Sequence, residues 1–226
     1  NILSGDALEI FQKLYQQYNF TKVISEQETG IHWTFERDKK LKSLFKELNV
    51  RWIERPYFGV KRGSHNRDHW AGSIQQTLKK PLIKKEKYID QSIILMSEEV
   101  QTPSNFYDQT PCPNRQKGGS HRARDLLDTF LEGRGENYQK EMSSPITAEN
   151  SCSRLSPHFA HGTLSLRQAY QLAEKKRFDV QSTNKVFTKS INAFLSRLYW
   201  RSHFIQKLED EPNIELQSFI PLYDNI

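Results

Sequence analysis

Leu8, Phe11, Leu14 and Tyr15 recur at three- and four-residue steps and predict an amphipathic helix over 6–18. A short β-branched run predicts a strand at 22–25. Leu41, Leu44, Phe45 and Leu48 then share one face of a second helix, 37–48, and 50–53 reads as a second strand. Helix, strand, helix, strand is the order of a parallel sheet with crossover connections. Four elements cannot cover both faces of such a sheet, so its earlier strands are expected to be missing. Ser25-x-x-Glu28 fits a capping box formally, but Gly30 argues for a loop there.

From 63 to about 144 the chain turns polar and is punctuated by Pro103, Pro111, Pro113 and the pair Gly118-Gly119. It reads as an interdomain connector with helical segments at 70–78 and 122–131. Beyond it the pattern is helical. Ser165-x-x-Gln168 forms a capping box ahead of Leu166, Ala169, Tyr170 and Leu172. A long helix follows over 187–208, its apolar face carried by Ile191, Phe194, Leu195, Leu198 and Tyr199, and Pro212 ends it.

Composition narrows the class. The chain has 226 residues, 36% apolar and 12% aromatic, enough for a packed core. No apolar run reaches the roughly 18 to 20 residues of a membrane span, and no leader peptide is evident, so a cytoplasmic protein is expected. Cys112 and Cys152 lack metal spacing and do not suggest a disulfide framework, so each reads as a buried or idle thiol. The net charge is +6. Between 61 and 90, eight basic residues (Lys61, Arg62, Arg67, Lys79, Lys80, Lys84, Lys85, Lys87) face three acidic ones (Asp68, Glu86, Asp90), a stripe suited to nucleic-acid phosphates or to a solvated linker. Glu209-Asp210-Glu211 reads as a solvated helix cap. His158 and His161 read as satisfied or exposed histidines, and no metal site is expected.

Two segments carry chemistry. In SCSRLSPHFAHGTLS, 151–165, Ser156 reads as an N-cap and Pro157 as the first helical residue. Backbone N–H groups and hydroxyls would there converge on an anion such as phosphate. In FLSRLYWRSHFIQKLEDEP, 194–212, aromatics and arginines on neighbouring turns suit stacking and charge pairing at a large planar ligand.

Together, Ser153-Arg154-Leu155-Ser156-Pro157, Gly162-Thr163-Leu164-Ser165 and Trp200-Arg201 resemble the flavin-binding half of the photolyase and cryptochrome family. Gln27-Glu28-Thr29-Gly30, Trp33-Thr34 and Arg37-Asp38 resemble its earlier loop and helix, and Gly118-Gly119-Ser120 its entry into the helical domain. The resemblance covers nearly all of the chain and implies a fold of α/β plus all-α class. Its parts are the later half of an N-terminal Rossmann-like domain (1–62), a connector (63–117) and the first part of a helical FAD-binding domain (118–226). It also implies a piece of a longer protein spanning the domain junction, in keeping with the start at Asn1, so that the chain alone should hold FAD weakly and tend to associate.

The resemblance assigns roles residue by residue. Tyr138, Cys152, Ser153, Arg154, Leu155 and Ser156 would contact the FAD diphosphate and sugar, with Phe194 and Arg201 lining the same cofactor. Trp200 and Arg197 would meet the substrate. No side chain is expected to act as a nucleophile or general base. Cys152 stands where members often carry threonine, Arg197 where the best-known repair enzymes carry a glutamate, and Met142 where a family arginine is usual. The implied activity is blue-light-driven repair of cyclobutane pyrimidine dimers in DNA by electron transfer from reduced FAD, a carbon–carbon lyase reaction. An antenna chromophore of folate or deazaflavin type is left unassigned. The implied full-length protein is monomeric and sits with DNA, at the nucleoid or in the nucleus. Arg197 and Met142 keep open a cryptochrome-type photoreceptor, and the basic stripe keeps open a DNA-binding module without flavin.

Overall fold

The computed structural model describes residues 3–63, 68–83, 110, 112 and 115–225. Arg67, Lys84, Lys85 and Lys87 of the basic stripe, and Pro103, Pro111 and Pro113 of the connector, lie outside the described residues. Those described form two compact units, within Asn1–Tyr57, Ile83–Arg115 and Pro212–Ile226 on one side and Phe58–Leu82 and Gln116–Glu211 on the other.

The first unit is a small parallel α/β element. Helix α1 (Ala7–Tyr18) starts where the Asp6 carboxylate accepts from the N–H groups of Leu8 and Glu9, and it stops at Asn19, whose φ of 46° is left-handed. Strands β1 (Lys22–Glu26) and β2 (Arg51–Arg55) pair in parallel with Lys22 opposite Arg51, and helix α2 (His32–Glu47) joins them. Leu41, Leu44 and Phe45 of α2, with Val50, make the core. Phe45 takes Phe11 and Trp52 edge-on at 5.0 and 5.4 Å.

Helix α2 begins earlier than the apolar spacing predicts. The loop before it supplies the reason. Glu28 accepts from the N–H groups of Thr29 and Gly30 at 2.9 and 2.7 Å and from Arg37 at 2.9 Å, so one carboxylate ties the loop to the first helical turns. Burial works against the Arg37 charge, but the Asp38 hydrogen bond and charge, then Glu28, outweigh it and hold its pKa up.

The second unit is helical. Helix α3 (Trp70–Lys79) lies in the segment read as connector, yet Ile74 and Leu78 are fully buried among the residues of this unit. The Gln171 amide fastens its end by donating to the carbonyls of Leu78 and Lys80. Helix α4 (Ser120–Thr129) widens into a π-turn at Phe130–Arg134. Short helices α5 (Tyr138–Glu141), α6 (Ala148–Ser151) and α7 (Ser156–Ala160) follow. Then come α8 (Leu166–Val180) and α9 (Lys185–Asp210). Phe187, Ile191, Phe194, Leu195 and Leu198 give α9 the buried face that its sequence predicts.

The ends of the long helices only partly follow the sequence. Asn184 caps α9 through the Phe187 N–H at 3.0 Å, and Pro212 lies just past its end. Ser165 does precede α8 but makes no capping hydrogen bond. Glu209 and Asp210 are half-buried rather than a solvated cap. Asp210 accepts from the Gln206 amide, and one Glu209 oxygen is buried without a hydrogen bond. Gln206 itself, 1% exposed, accepts from the Lys61 N–H at 2.7 Å and donates to the Lys61 carbonyl at 3.0 Å. One amide thus satisfies both backbone groups of a residue far away in sequence.

Candidate cofactor site

The turn at 152–156 is built by backbone shape. Cys152 leaves α6 extended, Arg154 takes a left-handed φ of 61°, and Leu155 drops a fully buried side chain into the core. A left-handed arginine is strained, so neighbours must hold it. The Gln116 amide donates to the Arg154 carbonyl, and Arg134 donates to the carbonyls of Cys152 and, at 2.9 Å, Leu126. Burial lowers the pKa of Arg134, the Cys152 neighbourhood raises it, and nearby Arg154 lowers it further.

Ser156 is the first residue of α7 and Pro157 the second, with Leu155 at the cap position and no side-chain cap. The turn therefore starts one residue earlier than the motif predicts. Leu155 has already entered helical φ/ψ, and proline is tolerated throughout the first turn, where N–H groups lack intrahelical partners.

Across from this turn, α9 presents Phe194, Arg197, Leu198 and Arg201, the i, i+3, i+4, i+7 face of a helix. Turn and helix face enclose a cavity of about 610 Å³. Its lining includes every residue that the motifs assign to the cofactor: Tyr138, Cys152, Ser153, Arg154, Leu155, Ser156, Phe194 and Arg201. Gln116, Pro157, Phe159, Arg197 and Leu198 complete it. Phe194 is 2% exposed and rests on Phe130 at 4.8 Å, so it serves the core as well as the wall.

The cavity is electropositive. Arg154, Arg197 and Arg201 line it with no carboxylate among the described lining residues. Burial pushes the Tyr138 phenol up, with Cys152 acting in the same sense, while Arg197 opposes by its charge and by a hydrogen bond to the phenol. Burial also pushes the Cys152 thiol up against Arg154 and Arg134, which keeps it neutral. Hydroxyls, guanidinium groups and a left-handed turn suit a diphosphate, and Phe194 and Tyr138 supply aromatic surface, so the residues present fit a flavin dinucleotide.

Trp200 is elsewhere. It lines a second cavity of about 750 Å³, on the other side of α9, with Trp70, Tyr170, Tyr199, His203 and Phe204. Arg197 and Trp200, paired by sequence as substrate contacts, thus face different cavities. They still touch, because the Arg197 guanidinium lies 4.3 Å from the Trp200 ring centroid. His158 is buried with Nδ1 2.9 Å from the Thr163 hydroxyl, and His161 is exposed. Among the described residues no group of three or more His, Cys, Asp or Glu could hold a metal ion.

Sequence reasoning missed Gln116 and Arg134. Both act on backbone carbonyls across long sequence separations, and neither sits in a motif.

No protein-family profile matches the sequence. Over 101 residues the chain is 33% identical to a deoxyribodipyrimidine photo-lyase of Halobacterium salinarum, covering 45% of this chain and 20% of that protein. Over 112 residues it is 29% identical to a deoxyribodipyrimidine photo-lyase of Streptomyces griseus, covering 50% and 22%. The chain thus spans about a fifth of the curated relatives it matches. The crystal structure of a bacterial class III photolyase from Agrobacterium tumefaciens matches with a TM-score of 0.67, covering 98% of this chain and 47% of that one. At 18% identity that likeness is one of fold. The chain is thus similar to photolyases in sequence over about half its length and in fold over nearly all of it, and its Ser-Arg-Leu-Ser-Pro turn faces the α9 arginines across one cavity.

Proposed function

We propose that this chain supplies the cofactor-diphosphate side of a light-driven DNA photolyase that repairs cyclobutane pyrimidine dimers. The observation that carries the reading is the convergence on one electropositive cavity of the eight residues that the resemblance assigns to the cofactor. Reduced FAD, when bound there and excited by blue light, would supply the electron that opens the dimer and take it back. The protein's own part is to bind and orient. The Ser153 and Ser156 hydroxyls donate hydrogen bonds, Arg154 and Arg201 neutralise charge, and Phe194 with Tyr138 bounds the cavity with aromatic surface.

The domain division in this reading is 1–62, 63–117 and 118–226, with damaged DNA as partner and a monomer as the working form. No helix among the described residues is long and apolar enough to cross a membrane. The reading places the protein with DNA in the cytoplasm, or in the nucleus of a eukaryote.

A second reading, a cryptochrome-type photoreceptor, is favoured by Arg197, whose guanidinium is a donor only. It cannot accept the imide N–H of a pyrimidine as a carboxylate would. The absorbance spectrum of the purified chain, incubated with FAD and then freed of unbound flavin, before and after blue light, tests both readings. Flavin bands that bleach on illumination support them, and light-dependent loss of dimers from an oligonucleotide then selects repair. A folded protein that stays colourless leaves a DNA-binding module without flavin.

A further inference from the structure

The second cavity, walled by α3, α8 and α9, has no part in the cofactor reading, because it shares no lining residue with the first. Its walls are rings held edge to face. Trp70 meets His203 at 5.6 Å, Tyr170 meets Tyr199 at 5.9 Å, and Trp200 meets Phe204 at 6.1 Å. The Tyr199 hydroxyl also donates to that of Tyr170 at 3.3 Å. Such bracing sets the rings in place before any ligand arrives, which lowers the cost of binding. The volume of about 750 Å³ is usual for a small-molecule site.

Apart from His203, the only acidic and basic residues of the lining are Glu174 and Arg177, and the Arg177 guanidinium donates to both Glu174 oxygens at 3.2 and 3.0 Å. Their charges cancel. Asn192 and Ser196, one turn apart on α9, are exposed lining residues that make no side-chain hydrogen bond among the described residues. Amide and hydroxyl each offer a donor and an acceptor. Trp200 and Phe204 remain 49% and 57% exposed, leaving ring surface in water that a stacked ligand would cover.

We propose that this cavity binds a free, uncharged planar heteroaromatic ring of nucleobase size, stacked on the aromatic walls and hydrogen-bonded along its edge by Asn192 and Ser196. This goes beyond the cofactor reading and stands without it. With Glu174 and Arg177 neutralising each other, the lining favours an uncharged ring over one that carries phosphate.

The test uses two probes: theophylline, whose edge carries an N–H and carbonyls, and 1-methylindole, a bicyclic ring without a hydrogen-bonding edge. Nitrogen–proton NMR follows the indole signals of the four tryptophans, each assigned by its replacement with phenylalanine. Trp70 and Trp200 line the cavity, whereas Trp33 and Trp52 belong to the α/β unit and serve as controls. Theophylline should move the first two signals and leave the others in place. Asn192→Ala combined with Ser196→Ala, at exposed helical positions that alanine suits, should weaken theophylline about tenfold and leave 1-methylindole unchanged.

Signals of Trp70 and Trp200 that stay still overturn the proposal, and so does equal theophylline affinity in wild type and variant. An oligothymidylate that moves them at far lower concentration than thymidine overturns a free ligand in favour of a strand. FAD that binds while theophylline does not sinks this proposal alone, and the reverse sinks the cofactor reading alone.

Discussion

A Cβ placed on Gly135 would lie 2.5 Å from the Phe130 ring, closer than real side chains approach. Phe130 cannot move aside, because it is fully buried between Tyr138 at 5.6 Å and Phe194 at 4.8 Å, both of which line the cofactor cavity. Gly135→Ala should therefore cost about 1–3 kcal/mol of stability through overpacking. Gly133, two residues earlier, has open space where a Cβ would go, so Gly133→Ala should stay within about 0.5 kcal/mol of wild type. Urea midpoints of the two variants decide the matter, and equal midpoints would show that the ring yields.

Gln206 gives a second prediction. Gln206→Leu preserves bulk but strips both backbone groups of Lys61 of their partner, at an expected cost of about 1–3 kcal/mol. The sharper readout is local: the Lys61 amide should exchange hydrogen much faster than in the wild type, while amides in the middle of α9 keep their protection. Unchanged exchange at Lys61 would mean that water replaces the amide without loss.

The Glu209 carboxyl makes stability depend on pH. Burial raises its pKa, the Arg62 charge opposes, the Asp210 charge adds to the rise, and a hydrogen bond from the Gly63 backbone opposes again. Because the folded value lies above the unfolded one, the native state holds the extra proton. The stabilisation is therefore present below the ordinary carboxylate range and is lost as pH rises through the folded value. Glu209→Gln, which resembles the protonated acid, should match the wild type in acid and become the more stable of the two towards neutral pH. Thermal midpoints across that range test the sign, and a wild type that gains on the variant with rising pH would show that the Arg62 charge dominates.

The two cysteines should separate cleanly. Cys112 is exposed, whereas Cys152 is half-buried in the cavity wall with its thiol pushed up by burial. Iodoacetamide should label Cys112 first, since the thiolate is the reactive form. ADP or FAD should slow labelling at Cys152 and leave Cys112 untouched. Peptide mapping of the labelled chain checks both statements, and protection of Cys112 would place the ligand elsewhere.

These sites were unequally legible in the sequence. Helix α9 announces itself, because Ile191, Phe194, Leu195 and Leu198 repeat at three and four and Pro212 cannot continue, whereas its Asn184 cap lies ahead of the start that the spacing predicts. The parallel pair of β1 and β2 follows from the helix between two β-branched runs. The start of α7 misled by one residue, since proline fits more than one position of a first turn. Arg197 and Trp200, grouped by the sequence as substrate contacts, line different cavities while touching each other. Residues three apart point about 60° apart around a helix, enough to send one side chain into each cavity. Arg134 and Gln116 carry no local signal at all, because what they satisfy is a backbone turn that only the folded chain creates.

Helix α9 is about 39 Å long and forms a wall of both cavities, with Phe194, Arg197, Leu198 and Arg201 turned to one and Asn192, Ser196, Tyr199 and His203 to the other. A rigid rod shared in this way cannot widen both spaces by the same movement. A sideways shift that narrows one space widens the other, and any coupling between ligands in the two would have to be equal in both directions.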